Sequence, residues 1–403
     1  MDTQIDNIVQ RLHGADADLV SSINVAADVF RLDPLFCIPE DCRRVFKEHG
    51  VETKVILLGA TPFSRTFYLE AHDRVRIEAV VDDFRAASGN LFEGLAIITS
   101  AEMLLRAARD DVITVSGCRY DRSRRFFKNM TRRYDVPHLN FEQALRLFGI
   151  VHARDHRIDD WGQTIAERLP EFHQLADRLV DDYSRYTLYS VLLFQLTCNL
   201  EWSLHAARPY CTLYFRSGLW APHSRERFVD CGASIGESTA AMIDATSGKF
   251  DRIWMIEPDR FNVETLKKYL TELDDVFVPQ RIQLQAYAVG ERNEELAFTH
   301  QGGHGGQVSS GAAGDTVAVR RIDDLLDTEP TLIKMDVEGA ELGALKGAKD
   351  CLASVKPKLA ISAYHRPTDL LDITQFALGV RPDYKVGVRH HTEERWDTCL
   401  YFF

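Results

Sequence analysis

The chain has 403 residues, 45% of them hydrophobic and 27% charged, with a formal net charge of −12, enough length and apolar content for two or three cored domains. The acidic balance argues against a nucleic-acid surface, which is more often basic. No apolar run nears the ~18 residues of a membrane span, the start "MDTQIDNIVQ" has no leader-like apolar stretch, and the eight cysteines show no close metal-type pair, so the expectation is a cytoplasmic protein with reduced thiols and no membrane partner.

Residues 1–50 show helical spacing in "IDNIVQRLHGADADLV" and carry no recognisable chemistry. From 51 to 150 strands alternate with helices: "TKVILLGA", "FSRTFYLEA", "VRIEAVVDD", "GLAIITS", "AEMLLRAAR", "DVITVSG" and "FEQALRLFG". That alternation predicts a parallel, doubly wound Rossmann-like α/β domain. Its first strand ends at Gly59, and Asp82 and Asp83 close the next strand where an acidic side chain can take ribose hydroxyls. Thr61 and Ser64, however, stand where a dinucleotide fingerprint has its later glycines. A scaffold or interaction domain is therefore preferred here to one that binds a nucleotide or nucleotide-linked sugar. Residues 151–224 read as a helical bridge, and its apolar stretch "YTLYSVLLFQLTCNLEW" suits either interdomain core or a homodimer surface.

From 225 to 403 strand and helix alternate again. "FVDCGASIGEST" ends a strand at Asp230, turns at Gly232, and leaves Gly236 at the start of a helix, where a missing Cβ lets a ligand come close. An acidic strand end repels a pyrophosphate but suits the α-ammonium group of S-adenosylmethionine. "RIWMIEP" ends the next strand in Glu257, whose carboxylate can accept both ribose hydroxyls. "LIKMDVEGAEL" ends a third at Asp336, followed by Glu338 and Glu341. Asp336 can orient or deprotonate an acceptor hydroxyl, cap the following helix, or with Glu338 hold a divalent cation, although no residue is assigned to a metal. "ISAYHRP" brings Tyr364, His365 and Arg366 beside it, with His365 expected as a neutral general base. His390 and His391 are candidates for the same mouth.

These blocks, together with "LGALKGA" and the ending "VRHHTEERWDTCLYFF", look like the FkbM family of S-adenosylmethionine-dependent methyltransferases across roughly residues 174–403. The resemblance implies a class I methyltransferase fold, a seven-stranded sheet parallel except for one strand near its end, with the cofactor across the carboxyl ends of the strands. It implies cofactor contacts from Asp230, Gly232, Ala233, Gly236 and Glu257, and adenine contacts from Ala288 and Val289. The expected reaction is methylation of a hydroxyl on a small-molecule acceptor, such as a sugar or another polyhydroxylated metabolite. A two-site enzyme and a non-catalytic scaffold are the alternatives. The segment "QGGHGGQVSSGAAG", with His304, is expected to close over the pocket as a lid.

Overall fold

The computed structural model describes residues 18–118, 120–150, 161–274, 281–300, 302–303, 307–308 and 315–403. Most of the expected helix over residues 5–20 and most of the glycine-rich lid, His304 included, lie outside these. The described residues divide into two compact units, one drawn from Met1–Glu167 and Leu192–Trp202, the other from Arg168–Val191 and Ser203–Phe403.

In the first unit, strands β1 (Lys54–Leu58), β2 (Arg76–Val81), β3 (Leu91–Phe92), β4 (Leu95–Ile98), β5 (Val112–Ser116) and β6 (His138–Leu139) form one sheet in the order β3-β4-β2-β1-β5-β6. All neighbours are parallel except the β3–β4 pair. The β5 strand is buried along its whole length, as a parallel strand covered on both faces must be. The additions to the predicted series include β3, β6 and the helix Asp121–Arg133. That helix, "DRSRRFFKNMTRR", buries only Phe127 and Thr131, so its apolar stripe is nearly hidden in the sequence by six cations.

The second unit contains β7 (Arg227–Cys231), β8 (Arg252–Ile256), β9 (Ile282–Gln285), β10 (Ala288–Val289), β11 (Glu294–Thr299), β12 (Gln307–Val308), β13 (Asp315–Arg320), β14 (Leu332–Met335), β15 (Lys358–Ser362), β16 (Val386–His390) and β17 (Thr398–Phe402). Seven of these form a sheet in the order β16-β17-β15-β14-β7-β8-β9. Only β17 runs against its neighbours, pairing antiparallel with both β15 and β16, as expected from the short link between the last two strands. The order reverses between β7 and β14, so the carboxyl ends of these two strands flank the crevice where open α/β sheets bind ligands. Phe228, Met255, Leu332, Ala360 and Tyr401 lie fully buried in the core beneath that crevice.

One expectation is corrected. "RIQLQAYAVG" is not a single strand: β9 stops at Gln285, and Ala288 and Val289 start a separate four-stranded sheet, β10-β13-β11-β12. The antiparallel pair β11 and β13, "EELAFT" and "DTVAVR", puts Leu296, Phe298, Val317 and Val319 on one packed face at a period of two, with only the small Ala297 and Ala318 between them.

Candidate functional site

The carboxyl ends of β7, β8 and β14, with the edge of the small sheet, enclose a cavity of about 510 Å³, within the range of small-molecule pockets. Gly232, Ser234, Glu257, Ala288, Val289 and Asp336 are on its wall. Gly232 sits at φ +76°, and a Cβ there would lie 1.8 Å from the Asp336 carbonyl oxygen. Glycine is therefore imposed by the close approach of two strand-end loops as well as by the left-handed backbone. Gly236 has φ +99°, and a Cβ would strike the Tyr269 ring at 2.9 Å. Its requirement comes from the left-handed backbone and from helix packing, and Gly236 is not among the residues lining the cavity.

Glu257 is nearly buried at the end of β8. Its Oε2 accepts the Ser234 amide at 2.8 Å and its Oε1 the Asp259 amide at 2.9 Å. Burial pushes this carboxyl up to about 7, against the pull of those two amides. The described part of the glycine-rich segment docks beside it: Asn262 Nδ2 donates to the Gly303 carbonyl at 2.8 Å and Asn262 Oδ1 accepts the Gly303 amide at 2.8 Å.

Asp230 has another role from the one expected. It is fully buried, its Oδ2 accepts the hydroxyls of Ser238 at 2.6 Å and Thr239 at 2.7 Å, and its Oδ1 faces Lys334 Nζ at 3.2 Å. The carboxylate thus ties the start of the helix Glu237–Ala245 to β14 and lies buried behind the cavity wall. Lys334 also donates to the Gly232 carbonyl at 2.7 Å. Burial pulls its ammonium down, but Asp230 and Asp336 outweigh that and raise it. Ala233, almost wholly buried, packs into the core beneath the turn.

Asp336 keeps a quarter of its side chain exposed. Tyr214 Oη donates to Oδ2 at 2.9 Å and Tyr364 Oη to Oδ1 at 3.1 Å. Burial would raise this carboxyl, but Lys334, His365 and the hydroxyls of Tyr214 and Ser362 hold it below the usual range. It is an ionised acceptor facing the cavity. Both phenols are raised well above their ordinary value, by burial first and the Asp336 charge second, so they act as donors.

His365 is the clearest correction. It is 2% exposed, with Nδ1 3.0 Å from Glu341 Oε1 and Nε2 3.5 Å from Glu338 Oε2 and 3.7 Å from Asp336 Oδ1. Burial lowers an imidazole, yet Glu341, Glu338 and Asp336 together raise this one to about 10. It holds its proton at neutral pH and is no free base. Glu338 stands in the left-handed region at φ +54° and is pushed by burial, then Asp336 and Glu341, to about 8 against the His365 charge. Glu341 is fully buried, and its Oε1 accepts the Val337 amide at 2.9 Å.

The match to known proteins follows the same residues. A family model described as a methyltransferase FkbM domain matches residues 230–383. The crystal structure of the FkbM methyltransferase from Methylobacillus flagellatus KT is 47% identical, covers 96% of this chain and 99% of that one, and superposes with a TM-score of 0.87. The chain belongs to the FkbM methyltransferase family. Weaker likenesses are an rRNA methylase from Streptococcus thermophilus, 12% identical over 45% of this chain and 86% of that one with a TM-score of 0.29, and a fibrillarin from Aeropyrum pernix, 13% identical over 46% and 70% with a TM-score of 0.27. No curated protein matches the chain. Among the described residues, no helix is long and apolar enough to cross a membrane.

Apart from Arg366, which is on the cavity wall, the remaining candidates lie away from the pocket of this FkbM methyltransferase. His390 Nδ1 bonds Thr398 Oγ1 at 2.9 Å, and His391 bonds Thr212 Oγ1 at 3.0 Å and Tyr401 Oη at 2.9 Å. Burial lowers His390 to about 4 and His391 to about 3; both are neutral groups of the core. Arg366 Nε donates to the Gly339 carbonyl, which fixes the loop after β14. In the first unit Ser64 Oγ donates to the Gly59 carbonyl and Thr61 Oγ1 to the Gly117 carbonyl, while a Cβ on Gly117 would meet Ser64 Oγ at 1.9 Å. The space a phosphate needs is filled by the turn's own hydroxyls. Asp82 caps the turn at Phe84 and Arg85, and Asp83 accepts the Ser100 amide and hydroxyl.

Proposed function

We propose that this FkbM methyltransferase transfers the methyl group of S-adenosylmethionine to a hydroxyl oxygen of a small polyhydroxylated acceptor such as a sugar. The observation that carries the reading is one cavity whose acidic wall includes two carboxylates in different settings. Glu257, held by two amides at a strand end, suits a ribose diol. Asp336, held by two phenols at the switch point, suits an acceptor hydroxyl. The residues fit the cofactor: Gly232 leaves its main chain open to the cavity, and Ala288 and Val289 offer a small apolar wall for adenine. Bound S-adenosylmethionine supplies an electrophilic methyl on a sulfonium that leaves neutral.

What the chain must do is align the acceptor oxygen and take its proton as the C–O bond forms. Asp336 accepts a hydrogen bond from the acceptor hydroxyl and so directs an oxygen lone pair toward the methyl. The two phenols and Lys334 keep Asp336 ionised and fixed in place. A carboxylate held below its usual range is a weak base for a free alcohol. It becomes an adequate one only late in transfer, when the oxygen grows acidic, so alignment is its larger contribution. Asp336→Asn keeps the shape and one acceptor oxygen but loses the charge. The expected result is cofactor affinity within a few-fold of wild type by calorimetry and a turnover lower by about 100-fold or more. Equal loss of affinity and turnover would assign Asp336 to cofactor binding.

A further inference from the structure

The cluster behind Asp336 has more acceptor charge than the chain's own cations answer. His365, 2% exposed, is faced by carboxylates on both ring nitrogens: Glu341 at 3.0 Å from Nδ1, and Glu338 and Asp336 at 3.5 and 3.7 Å from Nε2. The Nδ1 contact is close but lacks hydrogen-bond alignment, so Nδ1 stays buried without a hydrogen bond, as does Oε2 of the fully buried Glu341. A ring proton supplies one positive charge against Asp336 and Glu341, with the raised carboxyl of Glu338 beside them, and Lys334 is already divided between Asp230 and Asp336. Buried charge that is neither paired nor hydrogen-bonded is costly unless a cation joins it.

We propose that Asp336, Glu341 and His365 bind a divalent transition-metal ion, Mn²⁺ or Zn²⁺, with Glu338 at hand as a further ligand. One oxygen of each carboxylate and one ring nitrogen already lie within 4.8 Å of one another. Ligands at about 2.0–2.2 Å from a common ion sit roughly 3–4 Å apart, so small side-chain rotations close the set. A mixture of imidazole and carboxylate selects a borderline ion over Mg²⁺ or Ca²⁺, which take oxygen ligands. Asp336 is then shared between the ion and the cavity wall, and the ion fixes the loop Val337–Ala340 in place of the ring proton that it displaces. Among the described residues a second trio, Glu48, His49 and Asp111, has comparable spacing, but all three side chains are exposed to solvent, and exposed groups keep their hydration.

The test needs neither cofactor nor acceptor, so its outcome is separate from that of the proposed reaction. Full-length protein stripped with a chelator is titrated with MnCl₂, following loss of the free-ion electron paramagnetic resonance signal, and with ZnCl₂ by calorimetry. One ion per chain is expected, with binding weakened at least tenfold in both Glu341→Gln and His365→Asn and unaltered in Glu48→Gln. Circular dichroism of each metal-free variant checks folding, and if the two buried variants fail to fold, the partly exposed Asp336→Asn takes their place with the same expected loss. No saturable binding, binding that survives in the cluster variants, or binding lost in Glu48→Gln overturns the proposal.

Discussion

At Glu257 one ionisation decides whether the pocket can hold a diol. Only the carboxylate can accept two hydroxyl hydrogen bonds. Burial has moved the group to about 7, so the ionised fraction falls as pH falls through neutrality. Cofactor affinity should therefore be highest above pH 8 and about tenfold lower near pH 6, one unit below that value. Calorimetric titration across that range checks the slope, and Glu257→Gln should flatten it. A slope that persists in Glu257→Gln would place the titrating group elsewhere. Lys334 makes the opposite point about burial: its ammonium answers the fully buried Asp230. Lys334→Met strands that carboxylate and should destabilise the second unit by about 3–5 kcal/mol in urea unfolding. Adding Asp230→Asn should restore part of the loss, whereas an additive double variant would show the two groups to be uncoupled. Glu257 was legible because a strand-end acid can be read from local pattern. Of the partners of Asp336, Tyr364 was expected beside it, but Tyr214 was not, since it lies 122 residues away. Lys334 did leave a signal: a lysine inside the apolar run "LIKM" of a buried strand requires a buried anion.

Elements, more than single side chains, give the pocket its shape. Four loops leave the carboxyl ends of β7, β8, β14 and β15, and their mutual contacts hold Gly232 against the Asp336 carbonyl, Glu257 against the Ser234 amide and Arg366 against Gly339. Gly232→Ala tests this directly. Its Cβ would overlap the carbonyl at 1.8 Å while its φ of +76° is already unfavourable for alanine. The backbone conformation alone costs about 1–3 kcal/mol, and displacement of the β14 loop should add to it. The measurable outcome is a lower urea midpoint together with weaker cofactor binding. A variant with wild-type values for both would mean that the loops part freely. The alternation of main-sheet strands with helices was readable from the apolar runs, and the seven-stranded, mostly parallel sheet came from the family resemblance. The small sheet was not, because β10 is two residues long and continues an apolar run that looks like the end of β9. The charge state of His365 was equally beyond reach, since strand-end position predicts proximity to Asp336 but not the carboxylates that Glu338 and Glu341 bring from the next loop.

At the scale of the whole molecule, the question is whether one unit or both take a ligand. The first unit has the doubly wound sheet that often binds nucleotides, but fold alone does not specify function, and its glycine turn is filled by Thr61 and Ser64. The second unit has the open cavity. Hydrogen exchange of the full chain with and without S-adenosylmethionine separates the cases. A ligand at 100 times its dissociation constant stabilises the state that binds it by about 2.7 kcal/mol. Amides of β7, β8 and β14 that exchange through unfolding of the second unit should slow by about 100-fold. Those of β1, β2 and β5 should keep their rates, and should keep them again when a nucleotide-linked sugar is added. Protection of β1 and β5 by the sugar nucleotide would reopen the two-site reading, because it would require the hydroxyls of Thr61 and Ser64 to leave the main-chain carbonyls they now occupy. The chemistry makes that displacement unfavourable: each hydroxyl would exchange a satisfied carbonyl for a phosphate oxygen, and the freed carbonyls would face the phosphate charge.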